Sequence, residues 1–154
     1  MAKEKFASTL IASTLIDAAT VAIVTTGFTK CGEYQVPAGE ELAIGFGGYG
    51  SQADSIGRLY AVMMNGAVPP VLIPGTMRLS VHSPQDRPLR VLGEWRTERA
   101  TLGATAMEQR IPLPEHPVNL REDQKLVLEM ISDAAATLTL ANCTINLDVT
   151  KYVV

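Results

Sequence analysis

The chain holds only two cysteines, Cys31 and Cys143, far apart in the sequence. A single possible pair makes no disulfide framework, so two free thiols are expected. Histidine is equally scarce: His82 and His116 are the only ones, and no His-x-His, Glu-x-x-His or cysteine cluster accompanies them. A metal centre or a nucleophile–base pair needs such partners, so no catalytic, cofactor-binding or metal-ligating residue is assigned. Aromatic residues make up 5% of the chain, which counts against a surface that stacks on bases or sugar rings. The net charge of −3 gives no general affinity for nucleic acid. No apolar run approaches the roughly 20 residues of a membrane span. The amino terminus begins Met1-Ala-Lys-Glu-Lys5 and then mixes Ser and Thr into every apolar stretch. It has no secretory core, so cytoplasmic synthesis without a membrane partner is expected. Chemistry is what this sequence lacks.

What it has is pattern. At 154 residues the chain is long enough for one domain with a sizeable core. A hydrophobic fraction of 47% against 19% charged residues, with a mean hydropathy of +0.15, fits a protein that hides surface against neighbours. The last stretch is the most regular. From Cys143 the residues alternate strictly, with Ile145, Leu147 and Val149 on one face and Thr144, Asn146, Asp148 and Thr150 on the other. Side chains flip face at every strand residue, so this is a half-buried β-strand. Leu138 and Leu140 fall on the opposite parity, which requires a bulge or tight bend near Ala141-Asn142.

The same signature recurs upstream. Thr76 to His82 alternates with Met77, Leu79 and Val81 inward and Arg78, Ser80 and His82 outward. Lys125 to Ile131 repeats it through Leu126, Leu128 and Met130. Ala19 to Thr26, Glu40 to Phe46 (through Leu42, Ile44 and Phe46) and Leu89 to Thr97 around Trp95 also read as strands, with a turn at Tyr34 to Gly39. Residues 98–124 read as a long polar connection broken by Pro112, Pro114 and Pro117. Ser51 to Met64 fits two templates: a helix capped by Ser51 and Asp54, or a strand from Ile56 running into an Asn65-Gly66 hairpin turn. The strand is favoured because its surroundings are β and Gly57 would weaken a helix. Seven or eight short strands separated by proline and glycine turns imply an all-β antiparallel sandwich, with the jelly roll as a common solution. The expected core comprises Leu42, Ile44, Leu79, Val81, Leu126, Leu128, Ile145 and Leu147.

Three features invite a sharper reading. Ala7-Ser-Thr-Leu-Ile11 is repeated as Ala12-Ser-Thr-Leu-Ile16. A period of five suits neither helix nor strand, which suggests an extended arm over residues 1–18 docking on a neighbouring subunit, ahead of a β-sandwich domain over 19–154. Gly45, Gly47 and Gly50 match a dinucleotide-binding spacing, as a small nucleotide-dependent enzyme would require. No acidic residue follows about 20 positions later, and no strand–helix alternation builds a parallel sheet, so a backbone turn is expected instead. Arg87, Arg90, Arg96, Arg99 and Arg110 alternate with Glu94, Glu98 and Glu108. Such balance suggests a solvated or intersubunit salt-bridge network rather than a nucleic-acid surface. Asn142-Cys143-Thr144 matches a glycosylation sequon only by chance.

Tyr34-Gln-Val-Pro-Ala-Gly-Glu-Glu-Leu42, Gly57-Arg-Leu-Tyr60, Ile73-Pro-Gly-Thr-Met-Arg-Leu79 and Ile145-Asn-Leu-Asp-Val-Thr-Lys-Tyr152 together resemble structural proteins of bacterial or archaeal virus particles. The resemblance spans about residues 34–152. It implies a single jelly-roll β-sandwich that serves as a capsid, minor capsid or decoration component. Its partners would be itself, as a homo-oligomer, and other capsid proteins, with no specific nucleic acid, no cofactor and no enzymatic activity. It would be made in the host cytoplasm and reside in the virion. The competing expectation is a ligand- or carbohydrate-binding β-sandwich module.

Overall fold

A computed structural model describes residues 4–44, 58–97, 111–112 and 118–153. Its backbone is organised around the regular C-terminal segment, strand β12 (Thr144–Val153). One edge of β12 pairs antiparallel with β1 (Glu4–Ile11), from Glu4↔Val153 to Ile11↔Asn146. Its other edge is shared. β4 (Glu40–Ile44) takes the half from Val149 to Val153, and β5 (Arg58–Val62) takes Thr144 to Leu147. β4 and β5 therefore run end to end as one interrupted strand. Beyond them β9 (Val118–Leu120) pairs with β4, and β8 (Ile111–Pro112) with β5, a second interrupted strand.

The opposing sheet has the order β3-β10-β6-β7, built from β3 (Thr29–Gln35), β6 (Gly75–His82), β7 (Pro88–Arg96) and β10 (Lys125–Ser132). With each interrupted strand counted once, the six strands of the first sheet reduce to four, and the chain passes between the sheets in a fixed rhythm. β1 lies in the first sheet, β3 in the second, β4 and β5 in the first, β6 and β7 in the second, β8 and β9 in the first, β10 in the second and β12 in the first. That wiring is a jelly roll. A small two-stranded ribbon, β2 (Thr20–Ile23) with β11 (Ala136–Thr139), caps one end.

The core lies between the inner faces, as the alternation requires. Leu147 sits between Leu10 of β1 and Leu59 of β5. Within the opposing sheet, Leu79 of β6 pairs with Leu128 of β10, Val81 with Leu126 and Met77 with Met130. None of the eight expected core residues is more than 4% exposed. The parity break before β12 is a 3₁₀ turn at Leu140–Asn142, closed by the Cys143 N–H donating to the Leu140 carbonyl at 3.0 Å.

Several expectations need correction. Residues 4–16 of the expected N-terminal arm lie inside the domain, because β1 is the first strand of the roll and pairs with β12 from Asn146 to Val153. A boundary at residue 18 therefore cuts the sandwich. The two copies of Ala-Ser-Thr-Leu-Ile adopt different conformations: the first ends β1 and the second enters the short helix α1 (Ala12–Leu15). The change of element at residue 12 turns Leu10, Leu15 and Ile16 all inward, which no single period could do. α1 lies so close to β3 that a Cβ at Gly32 would stand 2.3 Å from the Leu15 carbonyl oxygen, so only glycine fits there.

The long polar connection contains β8 and β9, and β3 escaped detection because Cys31-Gly32-Glu33 lacks an apolar alternation. Of the ambiguous segment, Arg58–Val62 is strand, while Ser51 to Gly57 and the glycine loop Gly45 to Gly50 lie outside the described residues. The chain does reverse after Asn65, but through residues 66–70 rather than a two-residue turn. Asn65 and Val71 are joined by a 2.9 Å backbone bond, and the Asn65 side-chain oxygen accepts the N–H groups of Ala67 and Val71. Pro69 and Pro70 have no N–H to give a ladder, so the asparagine side chain closes the loop instead.

Candidate assembly surfaces

The outer face of the β3-β10-β6-β7 sheet is charged and internally paired. The Arg78 guanidinium lies 3.8 Å from the centre of the Phe28 ring and donates to both Glu129 carboxylate oxygens, at 3.3 and 3.1 Å. Glu94 approaches the same guanidinium at 3.6 Å. Lys125 reaches Asp86 at 2.9 Å and Glu33 at 3.5 Å, and Lys30 meets Glu33 at 2.9 Å. Arg96 clasps Asp133, with Nη1 at 2.8 Å.

Of the charges expected to form a solvated or intersubunit salt-bridge network, Glu94 and Arg96 do form ion pairs, within this chain. Glu94 and Arg96 are matched with residues on neighbouring strands and turns, because cross-strand neighbours are remote in sequence. Arg99, Arg110, Glu98 and Glu108 lie outside the described residues. Hydrogen bonds from Lys125 and Arg96 hold the Asp86 and Asp133 carboxyls below their usual range, and the bond to Asp86 raises Lys125. Exposed pairs of this kind contribute little to stability, because water and salt screen them. Their effect is to leave this face solvated and self-satisfied.

Near them, His82 Nε2 stands 3.3 Å from Ser80 Oγ, which also contacts Glu129 Oε1 at 3.4 Å. A hydrolytic triad needs the carboxylate on the histidine and an accessible hydroxyl. Here Glu129 is held by Arg78, and Ser80 is only 2% exposed. His116 lies outside the described residues. Among the described residues, no three His, Cys, Asp or Glu side chains form a group that could hold a metal ion, and no helix is long and apolar enough to cross a membrane.

Both cysteines are free, Cys31 buried and Cys143 half-buried. Burial, helped by Cys143 and Glu129, pushes the Cys31 thiol up to about 12. Burial also raises Cys143, against the opposing effect of backbone hydrogen bonds at Met64 and Thr139. Reactive cysteines have depressed values, so neither is poised as a nucleophile. The unfolded Cys31 ionises near 9.0, whereas the folded one stays protonated well beyond that. Its contribution to stability is therefore complete below about pH 9 and is lost as pH rises towards 12. Urea titrations from neutral to alkaline pH are expected to show this decline, and Cys31→Ala is expected to flatten it. An identical slope in the variant would assign the decline to other groups.

The opposite character appears where β1, α1 and the Leu140–Asn142 turn meet. An open groove of about 390 Å³ lies there, lined by Ile11, Ala12, Leu140, Ala141, Cys143 and Ile145 with Ser13, Thr144 and Asn146. No charged side chain is among the described residues that line it. Asn142, of the chance sequon, points its amide at the Asn65 carbonyl at 2.9 Å, so it is part of the packing at this end.

No protein-family model matches the chain, and no curated protein sequence does. Solved structures do match. The VP16-VP17 complex, of the two major capsid proteins of bacteriophage P23-77, aligns with a TM-score of 0.63 over 98% of this chain and 100% of that one. VP17, a capsid protein of the same phage, aligns with a TM-score of 0.61 over 97% and 96%. The fold is that of a phage capsid protein. Sequence identity is 9% in both cases, so the likeness is one of backbone path rather than of shared residues.

Proposed function

We propose that this chain is a structural component of a virus particle, a capsid, minor capsid or decoration protein that acts through subunit contacts rather than catalysis. The observation that carries the reading is mutual coverage. The alignment takes in nearly all of this chain and all of the capsid chain, so the capsid roll corresponds to the described domain as a whole rather than to a part of it. The P23-77 structure is a complex of two capsid proteins. By that analogy, the partners here are other capsid proteins and further copies of this chain. The protein would be made in the host cytoplasm and then packed into the shell, with no role for nucleic acid or membrane in its contacts. A ligand- or carbohydrate-binding module is not favoured. The sole tryptophan, Trp95, is 8% exposed and unable to offer a ring to a sugar.

The test is particle composition. Virus particles banded on a density gradient are expected to contain this chain at fixed stoichiometry, and to retain it after a high-salt wash. Its absence from the particle band would overturn the proposal.

A further inference from the structure

Among the stretches of this sequence that carry no charged residue are the three between Lys5 and Asp17, between Arg58 and Arg78, and between Asp133 and Asp148. The fold brings all three to one end of the sandwich. The first supplies α1 and the last supplies the Leu140–Asn142 turn, which together line the neutral groove. The middle one forms the loop of residues 66–71, seated directly beside it. Thr139 donates its N–H to the Met64 carbonyl at 3.0 Å, and Asn142 donates to the Asn65 carbonyl at 2.9 Å.

The loop is an apolar knob. Its tip reads Ala67-Val-Pro-Pro-Val71, with Val68 97% and Val71 53% exposed. Solvated loop tips are ordinarily polar, and exposed apolar clusters mark contact sites. The knob is also stiff, because the Asn65 side chain ties both of its ends and two prolines restrict its centre. A stiff projection loses little conformational freedom when it docks.

From these observations we propose that loop 66–71 of one copy docks into the groove between α1 and the Leu140–Asn142 turn of a second copy of this chain. The choice of a second copy rests on the matching chemistry of the two parts. A neutral, apolar knob and a neutral, largely apolar groove adjoin on the same molecule, so a two-fold axis beside them lets each copy fill the other's groove. This is the self-complementary arrangement of an isologous contact. The outer face of the second sheet lacks this neutral character, since it carries the ion pairs of Arg78 with Glu94 and Glu129 and of Lys125 with Asp86 and Glu33. The inference deepens the capsid reading by naming the surface through which copies join.

The experiment uses the full chain in sedimentation velocity over a range of concentrations. Wild type is expected to show a reversible, concentration-dependent dimer or larger species. On the knob, Val68→Asp with Val71→Asp is expected to weaken this association more than about ten-fold, because the carboxylates would be buried unpaired. On the groove side, Ile11→Asp is expected to do the same. All three positions are exposed, so thermal melts should match wild type and exclude misfolding. Leu89→Asp, an exposed apolar position on β7, is expected to leave association unchanged. A monomeric wild type, or knob and groove variants that associate like wild type, would overturn the proposal. If wild type is monomeric while knob variants are lost from particles, the groove's occupant is a different shell protein and the self-contact is wrong. Association that follows these expectations in a protein absent from virus particles would sink the capsid reading and leave this contact standing.

Discussion

Removal of residues 1–11 is expected to abolish cooperative folding rather than to trim a tail. Those residues contain β1, which pairs with β12 over its whole length, and β12 is the strand on which the first sheet is built. Without β1, the N–H and C=O groups along that edge of β12 lose their partners, and an apolar strand edge is left open to aggregation. Leu10, buried against Leu147, is lost as well. The deletion of one such side chain alone costs about 2–5 kcal/mol, against a total stability of roughly 5–15 kcal/mol for a whole domain. The Thr9 hydroxyl bond to Asp148 disappears too. Circular dichroism and thermal melting of the truncated chain are expected to show no cooperative transition. A folded, melting β-domain after this truncation would restore the reading of the N-terminus as an extended arm that docks on a neighbouring subunit.

Leu147→Ala is expected to be the most damaging of the simple core truncations, at about 2–5 kcal/mol and towards the upper end of that range. Leu147 is 0% exposed and is flanked on both sides within its own sheet, by Leu10 and by Leu59. Strand pairing on both edges holds those neighbours in place, so they cannot collapse into the space left behind. Urea unfolding at neutral pH measures the loss as a shift in midpoint. A loss below about 1 kcal/mol would show that the inner faces can repack here, in contrast to the close packing normal for cores.

The two outcomes bear on how much of this protein could be read from its residues. Leu147 was legible because alternation is a local property. Met77-Arg78-Leu79-Ser80-Val81 and Leu126-Val127-Leu128-Glu129-Met130 announce their buried faces without reference to any other part of the chain. β1 was not legible. Its inward residues, Leu10 among them, are outnumbered by exposed ones, since an edge strand buries little, and the repeated pentapeptide concealed its parity. β8 and β9 were missed for a related reason: each is too short to display a period. The candidate surfaces divide the same way. Loop 66–71 stands out in the sequence as a proline-rich apolar run, and its reversal was anticipated at Asn65-Gly66. The groove beside it draws on residues 11–13 and 140–146, whose proximity no local pattern reports.

Composition and periodicity alone therefore settled that the chain is an all-β sandwich, which residues form its central strands, and that it is poor in chemically reactive groups. These are properties of each segment against water, and a segment carries them wherever it sits. The tertiary structure decided the rest: the jelly-roll order, the place of β1 as a strand rather than an arm, the pairing of Arg78 with Glu129 and Glu94, and the meeting of three uncharged stretches at one end. Each depends on which segments become neighbours. That is set by the closure of the whole sandwich around one core, where Ala-Ser-Thr-Leu-Ile can be strand in one copy and helix in the next because burial, not local preference, selects the conformation.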